Sequence, residues 1–164
     1  MMAGRCIRIS RMIPHTPSRL PAAFCYTERM ARDLSSYKIL VVDDEADARS
    51  FICAVLEDNG ATVLEASDGD AALEVARRER PDLITLDITM PGKDGGEVFE
   101  ELRKDPALLD TPVCIISAHP DLRRLIYQRT VPPPDGYLDK PIDEKGLLLN
   151  VRKTLTLVRR RHQK

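Results

Sequence analysis

The chain has 164 residues, 43% of them hydrophobic, enough for one ordinary domain with a core and too apolar for wholesale disorder. Lys+Arg 25 against Asp+Glu 26 gives a net charge of -1, which argues against a generic nucleic-acid binder. No run approaches the roughly 18 to 20 apolar residues that span a bilayer. Cys6, Cys25, Cys53 and Cys114 form no C-x-x-C pair, so neither a zinc site nor a disulfide framework is expected and a reducing compartment fits.

The charge is uneven along the chain. Residues 1–36 hold six arginines against Glu28 and Asp33, a surplus of +4, and leave the remainder at -5. Pro14, Pro17 and Pro21 interrupt this stretch and no period is sustained, so it reads as a flexible basic N-terminal extension. The alternatives are an Arg-rich amphipathic transit or surface-binding segment, or translation from Met30. Arg8, Arg11, Pro14 and Pro17 break any secretory apolar region, so secretion is not expected.

From Tyr37 the pattern is regular. Lys38-Ile39-Leu40-Val41-Val42 is a short apolar run closing on Asp43-Asp44-Glu45, the signature of a buried parallel strand. Ala46 to Asn59 repeats apolar residues at helical spacing and Gly60 is a suitable stop. Thr62–Ala66 is a second strand and Asp68 to Arg80 a second helix, ended by Pro81. Asp82–Asp87 is a third strand, again closing on a carboxylate. Met90-Pro91-Gly92-Lys93-Asp94-Gly95 is a loop by its Pro and Gly content. A helix from about Gly96 to Lys104 follows, then a fourth strand Val113–Ser117 and a short helix from Asp121 to Gln128. Gly136–Asp139 is a fifth strand before Lys140-Pro141, and the last helix runs from Asp143 to about Arg161. Strand and helix alternate five times with short connections, which predicts an α/β, doubly wound five-stranded parallel sheet with helices on both faces.

Such sheets place their site beyond the C-terminal strand ends, at the switch point. The residues there are Asp43 and Asp44, Asp87, Ser117 and Lys140. One Asp at a strand end is ordinarily a cap or turn former. The joint placement on four strands is what points to a site. Three carboxylates within a few ångström repel unless a cation sits among them, and Mg²⁺ suits hard oxygen donors and retained waters. A cis Lys140–Pro141 bond would aim the ammonium into the crevice.

With these pieces assembled, the chain resembles a response regulator receiver domain of the stand-alone type. The resemblance runs from about Tyr37 to Leu157. It is carried by Val41-Val42-Asp43-Asp44-Glu45, Asp87-Ile88-Thr89-Met90-Pro91-Gly92-Lys93-Asp94-Gly95, Ile116-Ser117-Ala118 and Gly136-Tyr137-Leu138-Asp139-Lys140-Pro141, in that order. It implies the flavodoxin-like, CheY-like (βα)5 fold with strand order 2-1-3-4-5. With the residues outside it, the chain divides into a flexible basic extension over 1–36, a receiver domain over 37–161 and a basic tail over 162–164.

The resemblance also implies roles. Asp87 is the expected phosphoacceptor. Asp44 and Asp87 are expected on Mg²⁺ directly, Asp43 mainly through water, with the backbone carbonyl of Thr89 as a further ligand. Lys140 and the Ser117 hydroxyl are expected on phosphoryl oxygens, and Ser117 with Tyr137 forms the expected switch. Such positioning and charge neutralisation is most of what phosphoryl transfer requires. The expected partners are a sensor histidine kinase or phosphotransfer protein and a downstream protein target. Direct nucleic-acid contact and membrane insertion are not expected. The implied chain is cytoplasmic, monomeric or dimeric on phosphorylation, and not an enzyme with a separate substrate.

Two features depart from the family pattern. Thr130-Val131-Pro132-Pro133-Pro134-Asp135 precedes the fifth strand where small residues are usual, so partner and dimer mode do not carry over. His119-Pro120 follows Ser117-Ala118, with His119 either an exposed rim residue or a proton-transfer participant. A haloacid-dehalogenase-type phosphatase needs a second acid where Thr89 stands. A phosphorylation-independent docking module is the other alternative, and the intact acids and lysine count against it.

Overall fold

The computed structural model describes residues 34–119, 121 and 131–162, all within one unit, Arg32–Lys164. The expected helix over 121–128, most of the basic extension and most of the basic tail lie outside these residues. The described elements are β1 (Lys38–Val42), α1 (Ala46–Asp58), β2 (Thr62–Ala66), α2 (Gly69–Glu79), β3 (Leu83–Asp87), α3 (Gly95–Lys104), β4 (Val113–Ser117), β5 (Gly136–Asp139) and α4 (Glu144–His162). The strands form one parallel sheet in the order β2-β1-β3-β4-β5, as the sequence pattern and the resemblance led us to expect.

Strand alternation sends side chains to two cores. Leu40, Val42, Ile84, Leu86, Val113 and Ile115 pack with Ala72, Leu73 and Ala76 of α2 and Val98, Phe99 and Leu102 of α3. On the opposite face Ile39, Val41, Leu83 and Ile116 pack with Ile52, Val55 and Leu56 of α1 and Leu147, Leu148 and Val151 of α4. Both faces of β1, β3 and β4 are covered, which is why these strands read as near-continuous apolar runs, broken inside β3 by the buried Thr85, rather than as alternation.

The helix boundaries have local causes. Gly60, at φ 93°, closes α1 in the left-handed region, the conformation its position after Asn59 suggested. The Asp68 carboxylate accepts from Ala71 N at 2.9 Å and caps α2, while Arg80 at φ 48° ends it. A capping box of Asp94 and Glu97 starts α3 at Gly95, one residue before the expected start. Gly is required there by close approach, since a Cβ would overlap the Asp87 carbonyl oxygen.

The core draws on a residue ahead of Tyr37. Leu34 is 2% exposed, joins the α1–α4 core, and its N–H donates to Asn59 O at 2.9 Å. The reason is packing: Leu34 belongs to the same buried cluster as Leu56, and a single leucine carries no period by which a sequence could announce it. Ahead of β5, the Asp135 carboxylate accepts from Val113 N at 3.1 Å and pairs with Arg103 Nη2 at 2.9 Å, with both side chains buried. That ion pair ties the proline segment to the end of α3. Among the described residues no helix is long and apolar enough to cross a membrane.

Candidate functional site

Register builds the site one step at a time. Val42 pairs with Leu86, so the next residues, Asp43 and Asp87, stand level on neighbouring strand ends. Asp87 pairs with Ile116, which puts Ser117 one step further out. Ser117 pairs with Asp139, and Lys140 N then donates to Ser117 O at 2.9 Å. The Lys140–Pro141 bond is cis.

Asp43, Asp44 and Asp87 each present a carboxylate oxygen within 4.8 Å of the others. Asp43 and Asp87 are buried, whereas Asp44 faces water. Lys140 Nζ lies 2.6 Å from Asp87 Oδ2 and 2.8 Å from Asp43 Oδ2, with Glu45 Oε2 at 3.9 Å. Burial works against the charged ammonium, but the hydrogen bonds and negative charges of Asp43 and Asp87 outweigh it and hold Lys140 above its usual 10.5. The remaining oxygens are met by main chain: Asp43 Oδ1 accepts from Glu45 N and Asp87 Oδ1 from Thr89 N, both at 2.9 Å. A cavity of about 490 Å³, lined by Glu45, Ala48, Phe51, Ala118, Lys140, Pro141 and Ile142, opens beside the ammonium.

The other expected residues divide. Ser117 is buried at the site, and its hydroxyl accepts from His119 N at 3.0 Å. Thr89 lies on the rim, its N–H engaged with Asp87. His119 is exposed. Tyr137 packs against the α2–α3 core with its hydroxyl oxygen buried. Three contributors were not singled out from sequence. Glu45 adds a fourth carboxylate, Gly95 lets α3 rest on the Asp87 main chain, and Arg49 donates to Asp43 O at 2.8 Å. The D-x-x-E spacing of Asp94 and Glu97 was the available signal for the start of α3.

The donor set fits a hard divalent cation. It is all oxygen, two carboxylates are fixed by main-chain N–H groups and Lys140, and the third faces water, where retained waters would complete an octahedron. The three clustered aspartates, Glu45 apart, against one ammonium leave a local negative surplus of about two, which such an ion would balance.

A doubly wound parallel sheet with an acidic pocket and one lysine at its switch point defines the class of domain: an α/β domain with a candidate cation site at its strand ends. Comparison with known proteins is specific: residues 39–152 match the model of the response regulator receiver domain. Protein PilH of Pseudomonas aeruginosa is 34% identical over 118 residues, 72% of this chain and 97% of that protein. The phosphate regulon transcriptional regulatory protein PhoB of Escherichia coli is 34% identical over 115 residues, 70% of this chain and 50% of that protein. Among solved structures, the chemotaxis protein CheY4 of Vibrio cholerae superposes with a TM-score of 0.65 at 31% identity, covering 74% of this chain and 98% of that one. The chain belongs to the response regulator receiver domain family. It spans about half the length of PhoB and of a ycf27 regulator from Porphyridium aerugineum, which is 38% identical to it.

Proposed function

We propose that Asp87 accepts a phosphoryl group from a phosphohistidine on a sensor kinase or phosphotransfer protein, and that the modified domain signals by contact with a downstream protein. A carboxylate oxygen of Asp87 attacks phosphorus, the P–N bond breaks, and the imidazole leaves with the bonding pair and takes a proton from solvent. The product is an aspartyl phosphate. The observation that carries this reading is the Lys140 ammonium held against Asp87 and Asp43 in a pocket of three carboxylates.

Asp44 and Asp87 would hold Mg²⁺ directly and Asp43 through water, with the Thr89 carbonyl as a further ligand. Bound there, Mg²⁺ supplies charge neutralisation for a phosphoryl oxygen. Lys140 neutralises a second oxygen as it leaves the Asp87 carboxylate. The Ser117 hydroxyl, now on His119 N, turns to a third. Phosphoryl transfer asks for positioning and neutralisation of charge rather than covalent chemistry from the protein, and these groups provide both. Movement of Ser117 and a change at Tyr137 then bias two pre-existing states of the domain. The chain acts on no separate substrate, and the cytoplasm is its place of action.

The test is incubation with Mg²⁺ and acetyl phosphate followed by intact mass measurement. One phosphoryl adduct is expected, lost in Asp87→Asn and without Mg²⁺. An adduct that persists in Asp87→Asn would refute the assignment.

A further inference from the structure

Arg49 sits in the first turn of α1, where a cation works against the helix dipole. Its side chain is 19% exposed and turns back from the helix. Nη1 donates to Asp43 O at 2.8 Å and Nε to Glu65 Oε2 at 3.2 Å. The carbonyl it grips lies past the end of a ladder: the last β1–β2 pair is Val42 with Ala66, followed by one long bond of 3.3 Å from Asp43 N to Ala66 O. Glu65, at the end of β2, anchors the guanidinium from the far side.

The carboxylates of the pocket differ in how they are held. Asp43 is fixed by Glu45 N and Lys140, and Asp87 by Thr89 N and Lys140. Asp44 has no hydrogen bond or ion pair among the described residues, so only its main-chain geometry, which sets the position of its Cβ and the rotamers open to it, guides where its carboxylate points. The Asp43 carbonyl and the Asp44 nitrogen share one rigid peptide plane. We propose that Arg49 is a positioning residue: by holding the Asp43 carbonyl against Glu65 it fixes that plane and aims Asp44 into the cation site. The inference rests on the reading of Asp43, Asp44 and Asp87 as that site.

Two roles for a cation here predict opposite signs. If Arg49 acted only through its charge, removing it would deepen the negative potential and tighten Mg²⁺. If it aims Asp44, removing it loosens Mg²⁺. The experiment is calorimetric titration of Mg²⁺ into wild type, Arg49→Met, Arg49→Lys and Glu65→Gln at low ionic strength, with thermal melts to confirm folding. Arg49→Met is expected to weaken Mg²⁺ roughly tenfold, the low end for residues that orient metal ligands. Arg49→Lys keeps the charge but lacks the planar fork that serves two acceptors at once, so it weakens Mg²⁺ too. Glu65→Gln, which leaves the guanidinium unanchored, falls between wild type and Arg49→Met. Without Mg²⁺, the Asp44 and Glu45 amide resonances shift in Arg49→Lys. Unchanged or tighter Mg²⁺ binding in Arg49→Met, or full wild-type affinity in Arg49→Lys, would overturn the role while leaving the metal centre standing. A wild-type chain that takes up no Mg²⁺ would remove both.

Discussion

Lys140→Met removes one charge from the pocket and keeps most of the side chain's stem. In the wild type, Nζ lies 2.6 Å from Asp87 Oδ2 and 2.8 Å from Asp43 Oδ2, and both carboxylates are buried. Without the ammonium these two groups face each other with oxygens at most 4.8 Å apart. At an effective dielectric of about 20, that repulsion is roughly 3 kcal/mol. Breaking a buried ion pair by removing one partner costs about 3–5 kcal/mol, so two routes agree on the scale. Because Asp44 keeps one side of the pocket open to water, the lower end applies, and we expect a loss of about 3 kcal/mol at pH 7.5 in EDTA.

Urea unfolding followed by circular dichroism measures this. Adding Mg²⁺ narrows the gap, because a ligand that binds only the folded state restores stability by mass action and the variant has the greater unmet charge. Alkaline pH narrows it as well. The folded-state pKa of Lys140 is raised above 10.5, so its contribution is complete below pH 10.5 and disappears as pH rises through the higher folded value. Wild type therefore loses more stability than the variant in that range. A variant within about 1 kcal/mol of wild type in EDTA at pH 7.5 would refute the view of Lys140 as the counter-charge. So would a gap that neither Mg²⁺ nor alkali reduces.

Gly95→Ala places a Cβ into the Asp87 carbonyl oxygen and within 2.8 Å of the Ile88 Cα, both main-chain atoms that cannot turn aside. A loss of about 3 kcal/mol in urea unfolding is expected, with a lower yield of phosphoryl adduct, and a loss under about 1 kcal/mol would show that α3 can start elsewhere. Arg103 and Asp135 form a buried pair at 2.9 Å, with side chains 4% and 7% exposed. Arg103→Met should cost about 3–5 kcal/mol, and the double variant with Asp135→Asn should cost less than the sum of the singles, whereas additivity would deny the coupling. Burial pushes the Cys53 and Cys114 thiols up to about 12, so iodoacetamide at pH 8 should label neither site until urea unfolds the chain, as read by peptide mass. Labelling of Cys114 in the folded protein would contradict its enclosure.

The strands that build the pocket were legible because β1, β3 and β4 are covered on both faces. Burial on both sides demands continuous apolar runs, and such runs make the acids and the serine at their ends conspicuous. Strand order follows from the resemblance rather than from periodicity, which cannot distinguish one order of five parallel strands from another. What stayed hidden depends on contacts distant in sequence. Arg49 has the helical phase of an ordinary surface cation, and only the fold brings Asp43 O and Glu65 to its guanidinium. Arg103 and Asp135 are 32 residues apart and meet because α3 ends where β5 begins. Gly95 reads from sequence as the end of a loop, yet it is needed because a helix is seated directly on the Asp87 main chain.

On the proposed reading, the same geometry would let phosphorylation at Asp87 be read elsewhere in the domain. Lys140 is shared between two carboxylates, so its position reports the charge on either. An aspartyl phosphate carries about one more negative charge than the carboxylate it replaces. That charge would draw the ammonium away from Asp43 and toward the new oxygens. Lys140 is not free to move alone, because its N–H bonds Ser117 O and because β5, which carries Tyr137, ends one residue before it. A charge change at one strand end is thus one hydrogen bond from the Ser117 main chain and three residues from an aromatic side chain packed on the α2–α3 core. A shared counter-ion, rather than a long chain of contacts, would then be the route by which a covalent event at Asp87 reaches Ser117 and Tyr137.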